Sequence, residues 1–366
     1  SLRLDALRRF KQAEELRIGI QDLLGKADLE EVSTGLTRLA EACVQAAYGL
    51  AREELIPQFG RPCPEGFVLL GLGKCGAEEM GYGSDLDLAF AYAKEGTTQG
   101  GVRSMSHAEY FGLLADRICK ILTTITKEGT AYRVDIRLRP GGSAGRVAQS
   151  FAAFERHFAG TAELWERQAY LRARPIAGDL DLAEEFMASL YGLLYQPTAP
   201  ESLAEEIAAM RRRMEVELTK EKSGQLHVKL GSGGIADIEF LVQFLQLAHG
   251  ATLPALRVGN TLKALEAARS AGLLADSDAL DLSTSYRFLR SVQNRLRVVS
   301  DLETSSLPKE ASQLDRLARR LGYEAGEGMR VGERLLADYR HRTEWVREIY
   351  EKTFQRYRGG DLEGQR

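Results

Sequence analysis

Two aspartates stand two residues apart in the run Gly83-Ser84-Asp85-Leu86-Asp87-Leu88-Ala89-Phe90-Ala91-Tyr92. Strand alternation puts Leu86, Leu88, Phe90 and Tyr92 on one face and Asp85 and Asp87 on the other. At ~3.3 Å per residue their Cα atoms lie about 6.5–7 Å apart, so both carboxylates can converge on divalent ions held roughly 3.5–4 Å apart. Oxygen-only ligands favour Mg²⁺ or Mn²⁺. A second alternating run, Tyr132 to Arg139, directs Tyr132, Val134, Ile136 and Leu138 toward a core and Arg133, Asp135, Arg137 and Arg139 the other way. There Asp135 either completes the metal site or takes a proton from an attacking hydroxyl, and the guanidinium groups of Arg137 and Arg139 suit phosphate oxygens. Together these residues describe a phosphoryl-transfer site.

Asp pairs at a strand edge are commonly just solvated. A glycine loop immediately upstream, with the third Asp on a separate alternating run, weighs against that plainer reading. The loop, Gly71-Leu72-Gly73-Lys74-Cys75-Gly76, formally matches G-x-G-x-x-G after a strand. A dinucleotide fold would continue into a long helix. Here Ala77 to Met80 allows barely one turn before Gly81-Tyr82-Gly83 breaks it. A Walker loop fails as well, because Lys74 is not preceded by G-x-x-x-x-G or followed by Ser or Thr. Lys74 reads equally as a charged turn residue and as a phosphate contact.

These residues must be held by elements that the periodicity outlines. Leu2 to Leu24 and Leu29 to Leu55 repeat apolar residues at threes and fours, which is amphipathic helix. The pattern breaks around Pro57, Gly60, Pro62 and Pro64, and Phe67 to Leu70 reads as a short buried strand. Ser106 to Thr126 is helical, so the middle third mixes α and β. After Pro140-Gly141-Gly142 the strand signals stop. Helices are expected over 151–174, 182–194, 201–222, 235–249, 261–271, 278–300 and 328–357, with a disordered tail over 356–366. In the clearest of them Leu282, Tyr286, Leu289 and Leu296 form a buried stripe, while Arg287, Arg290, Asn294 and Arg297 line a face read as solvated. The expectation is an α+β protein in three parts: a helical arm over 1–60, a catalytic domain with a small mixed sheet over 61–165, and a helical bundle over 166–366.

Composition narrows the partners. The 366 residues carry 49 Lys and Arg against 52 Asp and Glu, a net charge of −3, and lack the basic surplus that polynucleotide binding requires. The most apolar stretch, Leu36 to Ala51, holds Arg38, Glu41 and Gln45, short of the ~18 apolar residues of a membrane helix. Cys43, Cys63, Cys75 and Cys119 show neither CxxC nor metal spacing and read as reduced thiols of a cytoplasmic protein. The opening SLRLDALRRF has neither an initiator Met nor an apolar leader, which reads as an excised segment.

A glycine turn, D-x-D on a strand and a distant third Asp on another strand resemble the nucleotidyltransferase superfamily of DNA polymerase β. The wording is narrower. GLGKCGAEEMGYGSDLDLAFAY (71 to 92), VDIRLRPGGSAG (134 to 145), WERQAYLRARPIAGD (165 to 179) and KLGSGGIADIEFLVQ (229 to 243) are similar to glutamine synthetase adenylyltransferases, as is FKQAEELRIGIQDLLG (10 to 25). Those bifunctional enzymes add AMP to a tyrosine of glutamine synthetase and remove it, with two nucleotidyltransferase units in tandem. The resemblance implies that this chain is one unit of a longer protein, using ATP and Mg²⁺ or Mn²⁺. It implies Asp85 and Asp87 as the metal pair, Asp135 as the third carboxylate, and Gly73, Lys74 and Ser84 as the phosphate-side loop, with Arg137 and Arg139 as candidate clamps. It further implies glutamine synthetase as substrate and a PII signal protein as regulator, both docked through the bundle. Lys74 and Cys75 depart from the superfamily's usual glycine or serine and aliphatic residue, which bears only on phosphate contacts. As chemistry, Gly231 to Gly234 ahead of Asp237-Ile238-Glu239 reads as a structural helix start. The wording at 81–87, 229–237 and 294–297 resembles the AMP-adding half more than the half that removes AMP by phosphorolysis. A polynucleotide nucleotidyltransferase and a regulatory module without turnover are the remaining rivals.

Overall fold

A computed structural model describes residues 2–219, 225–299, 305–324, 326 and 328–359, so the ends of the helices expected at 201–222 and 278–300, and most of the tail, lie outside the described residues. The chain divides into two compact units, Ser1–Leu194 and Tyr195–Arg366.

The first unit opens with helices α1 (Leu2–Leu23) and α2 (Leu29–Phe59). Asp28 starts α2 through a reciprocal cap, accepting from the Glu31 amide at 2.8 Å while the Glu31 carboxylate accepts from the Asp28 amide at 2.9 Å. Pro57, expected to break the pattern, sits inside the last turn of α2. Then follow β1 (Arg61–Cys63), β2 (Phe67–Gly71), the single turn α3 (Gly73–Gly76), β3 (Leu86–Tyr92), β4 (Thr97–Gln99), α4 (His107–Thr123) and β5 (Val134–Asp135). The unit closes with β6 (Ala148–Ser150), α5 (Phe151–Gly160), α6 (Leu164–Tyr170), β7 (Arg174–Gly178) and α7 (Leu180–Leu194).

β2 is central, antiparallel to both β3 and β7, and the outer side of β3 pairs in parallel with β5 and then β6. β1 and β4 form a separate antiparallel pair. Leu86, Leu88, Phe90 and Tyr92 enter one core with Leu36, Cys43 and Val44 of α2 and Phe111, Leu114 and Ile118 of α4. Ala89 and Ala91, on the other side of β3, are buried too, and α5 contacts that strand while α7 contacts β2 and β7. Helices thus pack on both sides of the sheet.

Three expectations are corrected. Strands do not stop at Pro140, since β6 and β7 complete the sheet. Because β7 is hydrogen-bonded to β2, the first unit runs to Leu194 rather than 165. The arm over 1–60 is no separate part, because α2 shares the core of the sheet.

The second unit is helical: α8 (Pro200–Leu218), α9 (Ile235–His249), α10 (Thr261–Ser270), α11 (Asp276–Val299), α12 (Ala311–Arg320) and α13 (Val331–Arg358). α12 is an element that the sequence reading missed. Arg287 is exposed as expected, but Arg290 is buried, donating to the Tyr286 hydroxyl at 2.9 Å, and Asn294 is buried as well. At the heart of this unit Arg211 of α8 meets Asp237 of α9 at 2.5 Å, both side chains out of water. The contact is ionic rather than an aligned hydrogen bond. The Gly233 amide donates to Asp237 at 2.7 Å, Arg347 of α13 approaches the same carboxylate at 3.3 Å, and Arg211 donates to the carbonyls of Leu230 and Gly231, each at 2.9 Å. Gly233, at φ +69°, admits no Cβ, which would fall 1.8 Å from the Thr343 carbonyl oxygen. The Gly231–Gly234 turn is therefore a structural joint between three helices. Among the described residues no helix is long and apolar enough to cross a membrane.

Removing one member of a buried ion pair strands the other charge, which costs about 3–5 kcal/mol. Asp237→Ala should therefore bring forward the melting of the second unit in calorimetry of the full chain, while leaving a transition for the first unit in place. A melt indistinguishable from that of the parent chain would contradict this role.

Candidate functional site

The site forms where β3 leaves the glycine turn. β2 ends at Gly71, and the Leu72 amide donates back to the Asp87 carbonyl at 2.8 Å, so the turn is laced to β3 beside the second aspartate. Gly73 takes a left-handed φ of +51°, and a Cβ there would stand 2.3 Å from Asp87 Oδ2. Only glycine supplies both the backbone angle and the missing atom. Lys74 follows, half-buried, and α3 stops after one turn, with Glu78 at φ +59°. That confirms on structural grounds why no dinucleotide-type helix follows the glycines. Ser84 closes the next turn, its buried hydroxyl accepting from the Gly81 amide at 3.1 Å.

β5 lies parallel to β3 with Leu86 opposite Val134 and Asp87 opposite Asp135. Neighbouring strands run about 4.8 Å apart, so these two carboxylates start from adjacent backbone positions. Asp85 enters one residue before β3 and pairs with Arg133 at 2.5 Å, and the Arg133 guanidinium also donates to the Gly83 carbonyl at 3.3 Å. Asp135 receives the Arg137 amide at 2.8 Å and a forked guanidinium contact from the same residue, down to 2.5 Å. Those hydrogen bonds, with the positive charge behind them, hold the Asp135 carboxyl below the usual carboxylate range. Asp85, Asp87, Asp135, Gly73 and Arg137 are thus gathered in one neighbourhood, with Lys74 and Ser84 on the turns that frame it.

Arg139 does not join them. The second alternating run keeps strand pairing only over Val134–Asp135, because the chain turns at Arg137 to Gly142. The Arg139 side chain is buried, and its guanidinium donates to the carbonyls of Ile136, Ser143 at 3.3 Å and Gly145 at 3.2 Å. It secures a loop and so does not present the free guanidinium expected of a phosphate clamp, although its charge is still felt at Asp135. Sequence reasoning placed Arg133 beside Asp135 but missed its pairing with Asp85. It also missed Arg172 and Arg174 beneath the glycine turn, although both lie in the quoted stretch 165–179.

Among the described residues no three His, Cys, Asp or Glu side chains converge as a metal-holding group, since Asp85 and Asp135 are turned to their arginines. The donors nevertheless suit a hard cation in kind. They are carboxylates rooted on adjacent strands, with no thiol or imidazole in the set. Cys75, the nearest thiol, is buried beneath the turn, and burial pushes its pKa up to about 12, which removes it from metal and nucleophile chemistry.

An α+β unit whose short mixed sheet offers D-x-D at a strand start, a third Asp on the parallel neighbour and a glycine turn alongside is a polymerase-β-like nucleotidyltransferase domain. Residues 2–189 match the family model of glutamate-ammonia ligase adenylyltransferase, and this chain belongs to that family. Residues 201–354 match a model described as GlnD PII-uridylyltransferase. The chain is 38% identical over 332 residues to the bifunctional glutamine synthetase adenylyltransferase/adenylyl-removing enzyme of Stenotrophomonas maltophilia, an alignment covering 89% of this chain and 35% of that protein. The enzymes of the same name from Nitrosococcus oceani and Pseudomonas aeruginosa are 36% and 34% identical, across 95% and 93% of this chain and 36% and 35% of theirs. The chain thus spans about a third of the length of these curated relatives.

The depressed Asp135 pKa carries a pH signature. A carboxyl whose folded pKa lies below its unfolded value of ~3.9 stabilises the fold fully above that value and loses the contribution as pH falls through the folded pKa. The stability gap between the parent chain and Asp135→Asn should be constant from neutral pH down to about 5 and shrink below about 4. Urea titrations across that range measure it. A gap that widens on acidification would have the wrong sign.

Proposed function

We propose that this chain is a nucleotidyltransferase unit that moves AMP from ATP to a tyrosine of glutamine synthetase, in the direction of addition. The observation that carries the reading is the alignment of Asp87 with Asp135 under a glycine turn, in a chain of the glutamate-ammonia ligase adenylyltransferase family. Its relatives' printed names cover both addition and removal of AMP, and both directions would draw on the same three carboxylates. The choice of addition rests on the wording at 81–87, 229–237 and 294–297.

In this reading Asp85, Asp87 and Asp135 would hold Mg²⁺ or Mn²⁺, with Asp85 and Asp135 released from Arg133 and Arg137. Such ions, when bound, neutralise charge developing on the transferred phosphoryl group. The chain's own residues supply the rest. The backbone at Gly73, with no Cβ in the way, lets a phosphate come close to the Asp87 side of the turn. Lys74 and Ser84 border the same turns and would meet the phosphate oxygens. Arg137, exposed beyond its fork with Asp135, is placed to steady a leaving pyrophosphate. A tyrosine hydroxyl has a pKa near 10, so at neutral pH its proton must be taken during attack. Asp135, once released from Arg137, would assist its removal, as would the bound ion itself. The second unit would receive the protein partners, glutamine synthetase and a PII signal protein. That assignment is supported by the similarity of residues 201–354 to the PII-uridylyltransferase model. The net charge of −3 supports no role on polynucleotides.

The test incubates the chain with unmodified glutamine synthetase and ATP, and separately with adenylylated glutamine synthetase and phosphate, following the mass of the acceptor. AMP should be gained in the first. Loss of AMP in the second with none gained in the first would reverse the direction.

Asp87→Asn and Asp85→Asn should each lower AMP transfer at least 100-fold, an order-of-magnitude loss expected when an interaction made in the transition state goes. The thermal melt should move little, because exposed ion pairs such as Asp85 with Arg133 contribute only about 0–1 kcal/mol. More than a tenth of parent activity in both variants would remove the carboxylates from the chemistry. ATP affinity measured calorimetrically should rise on adding Mg²⁺ or Mn²⁺ and not Zn²⁺. Equal affinity in EDTA would mean that the cationic side chains alone hold the phosphates.

A further inference from the structure

Arg174 stands at the start of β7, directly across from Gly71, where the glycine turn begins. Its side chain does not reach the carboxylates. Its Nε donates to the Gly76 carbonyl at 3.2 Å and its Nη2 to the Cys75 carbonyl at 3.1 Å, the far end of the turn that starts against Asp87. The same Nη2 pairs with the Glu41 carboxylate of α2. One guanidinium therefore ties the turn to the strand beside it and to the longest helix of the unit.

The turn is gripped further along the same segment. A Cβ on Gly76 would stand 1.8 Å from the Arg172 carbonyl oxygen, so backbone presses on backbone there. Arg172 and Glu79, both buried, pair at 3.6 Å just beyond the turn. Tyr170 donates its hydroxyl to the Leu138 carbonyl at 2.8 Å, joining this segment to the stretch that carries Asp135 and Arg137. Residues 170–174 thus touch the supports of both halves of the site.

We propose that Arg174 is a positioning residue: by holding the Cys75 and Gly76 carbonyls it sets where the Gly73–Lys74 backbone meets the nucleotide phosphates. The proposal deepens the adenylyl-transfer reading and rests on it. Without the guanidinium, two carbonyls and the Glu41 carboxylate lose their shared partner, and the turn can drift from Asp87. Misplacement by about an ångström can cost 100-fold in rate. The effect should appear in the handling of ATP and not of the protein acceptor, because the turn is on the phosphate side.

The experiment uses the full chain with Arg174→Met, which keeps the apolar stem, Arg174→Lys, which keeps a donor, and Glu41→Gln. The KM for ATP, the KM for glutamine synthetase and kcat are measured, with the Kd of Mg-ATP by calorimetry and the thermal melt as controls. Arg174→Met should raise the KM and Kd for ATP roughly tenfold or more and leave the acceptor KM within about twofold. Arg174→Lys should recover part of the loss, and Glu41→Gln should give a smaller rise, since the guanidinium keeps its carbonyl contacts. An unchanged KM and Kd for ATP with only a lowered melting temperature would make Arg174 a purely structural tie and overturn the proposal. If Arg174→Met fails to fold, Arg174→Lys and Glu41→Gln decide it by the same readout. A parent chain that binds Mg-ATP but adenylylates nothing would refute the function proposed above, and the Kd comparison would still judge Arg174.

Discussion

Gly73 lies so close to Asp87 that a single methyl carbon would collide with the carboxylate, and the geometry of the candidate site follows from that approach. A backbone turn can press against a side-chain oxygen only if it has no Cβ and can adopt a left-handed angle, and glycine meets both conditions. The turn must then be held, because glycine carries no side chain of its own to anchor it. The Leu72 amide on the Asp87 carbonyl holds one end, and Arg174 with the Arg172 backbone holds the other. Between them the carboxylate and the turn keep one relation that neither could maintain alone.

Charge sets the second condition. Asp85, Asp87 and Asp135 crowd the start of one small sheet, and like charges so placed repel unless they are compensated. Arg133 and Arg137 compensate Asp85 and Asp135 at the surface, where ion pairs are weak and readily exchanged. The contrast with the second unit is chemical. There Arg211 and Asp237 are sealed from water and joined by Gly233 and Arg347, so breaking the pair would strand a charge in the interior. One set of arginine–aspartate contacts lies at the surface, and the other fixes helices.

Much of this was legible from residue order. Period-two alternation located β3, and three- and four-residue spacing located α2, α4 and α9 within a few residues, because local backbone geometry writes those periods directly into the chain. The D-x-D run, the third Asp and the glycine loop were recognisable for the same reason. What escaped was non-local. β7, written Arg174-Pro175-Ile176-Ala177-Gly178, has a proline, a glycine and no alternation, and becomes a strand only because β2 offers it hydrogen bonds. β6 is three residues long, too short for any period. Arg290 looked solvated and Arg139 looked like a phosphate clamp, yet each is buried and bonded to groups four to six residues away, which residue type alone does not announce.

The sequence by itself determined that three carboxylates, two of them two residues apart at a strand start, would accompany a glycine turn, because residue identity and a short-range period suffice to say so. Tertiary structure alone decided that Asp135 comes abreast of Asp87 and that Arg174 reaches the turn. Those outcomes depend on strand register and on which carbonyls a side chain from a distant element can reach. Register and such long-range contacts join residues about fifty to a hundred positions apart, and no local spacing encodes them.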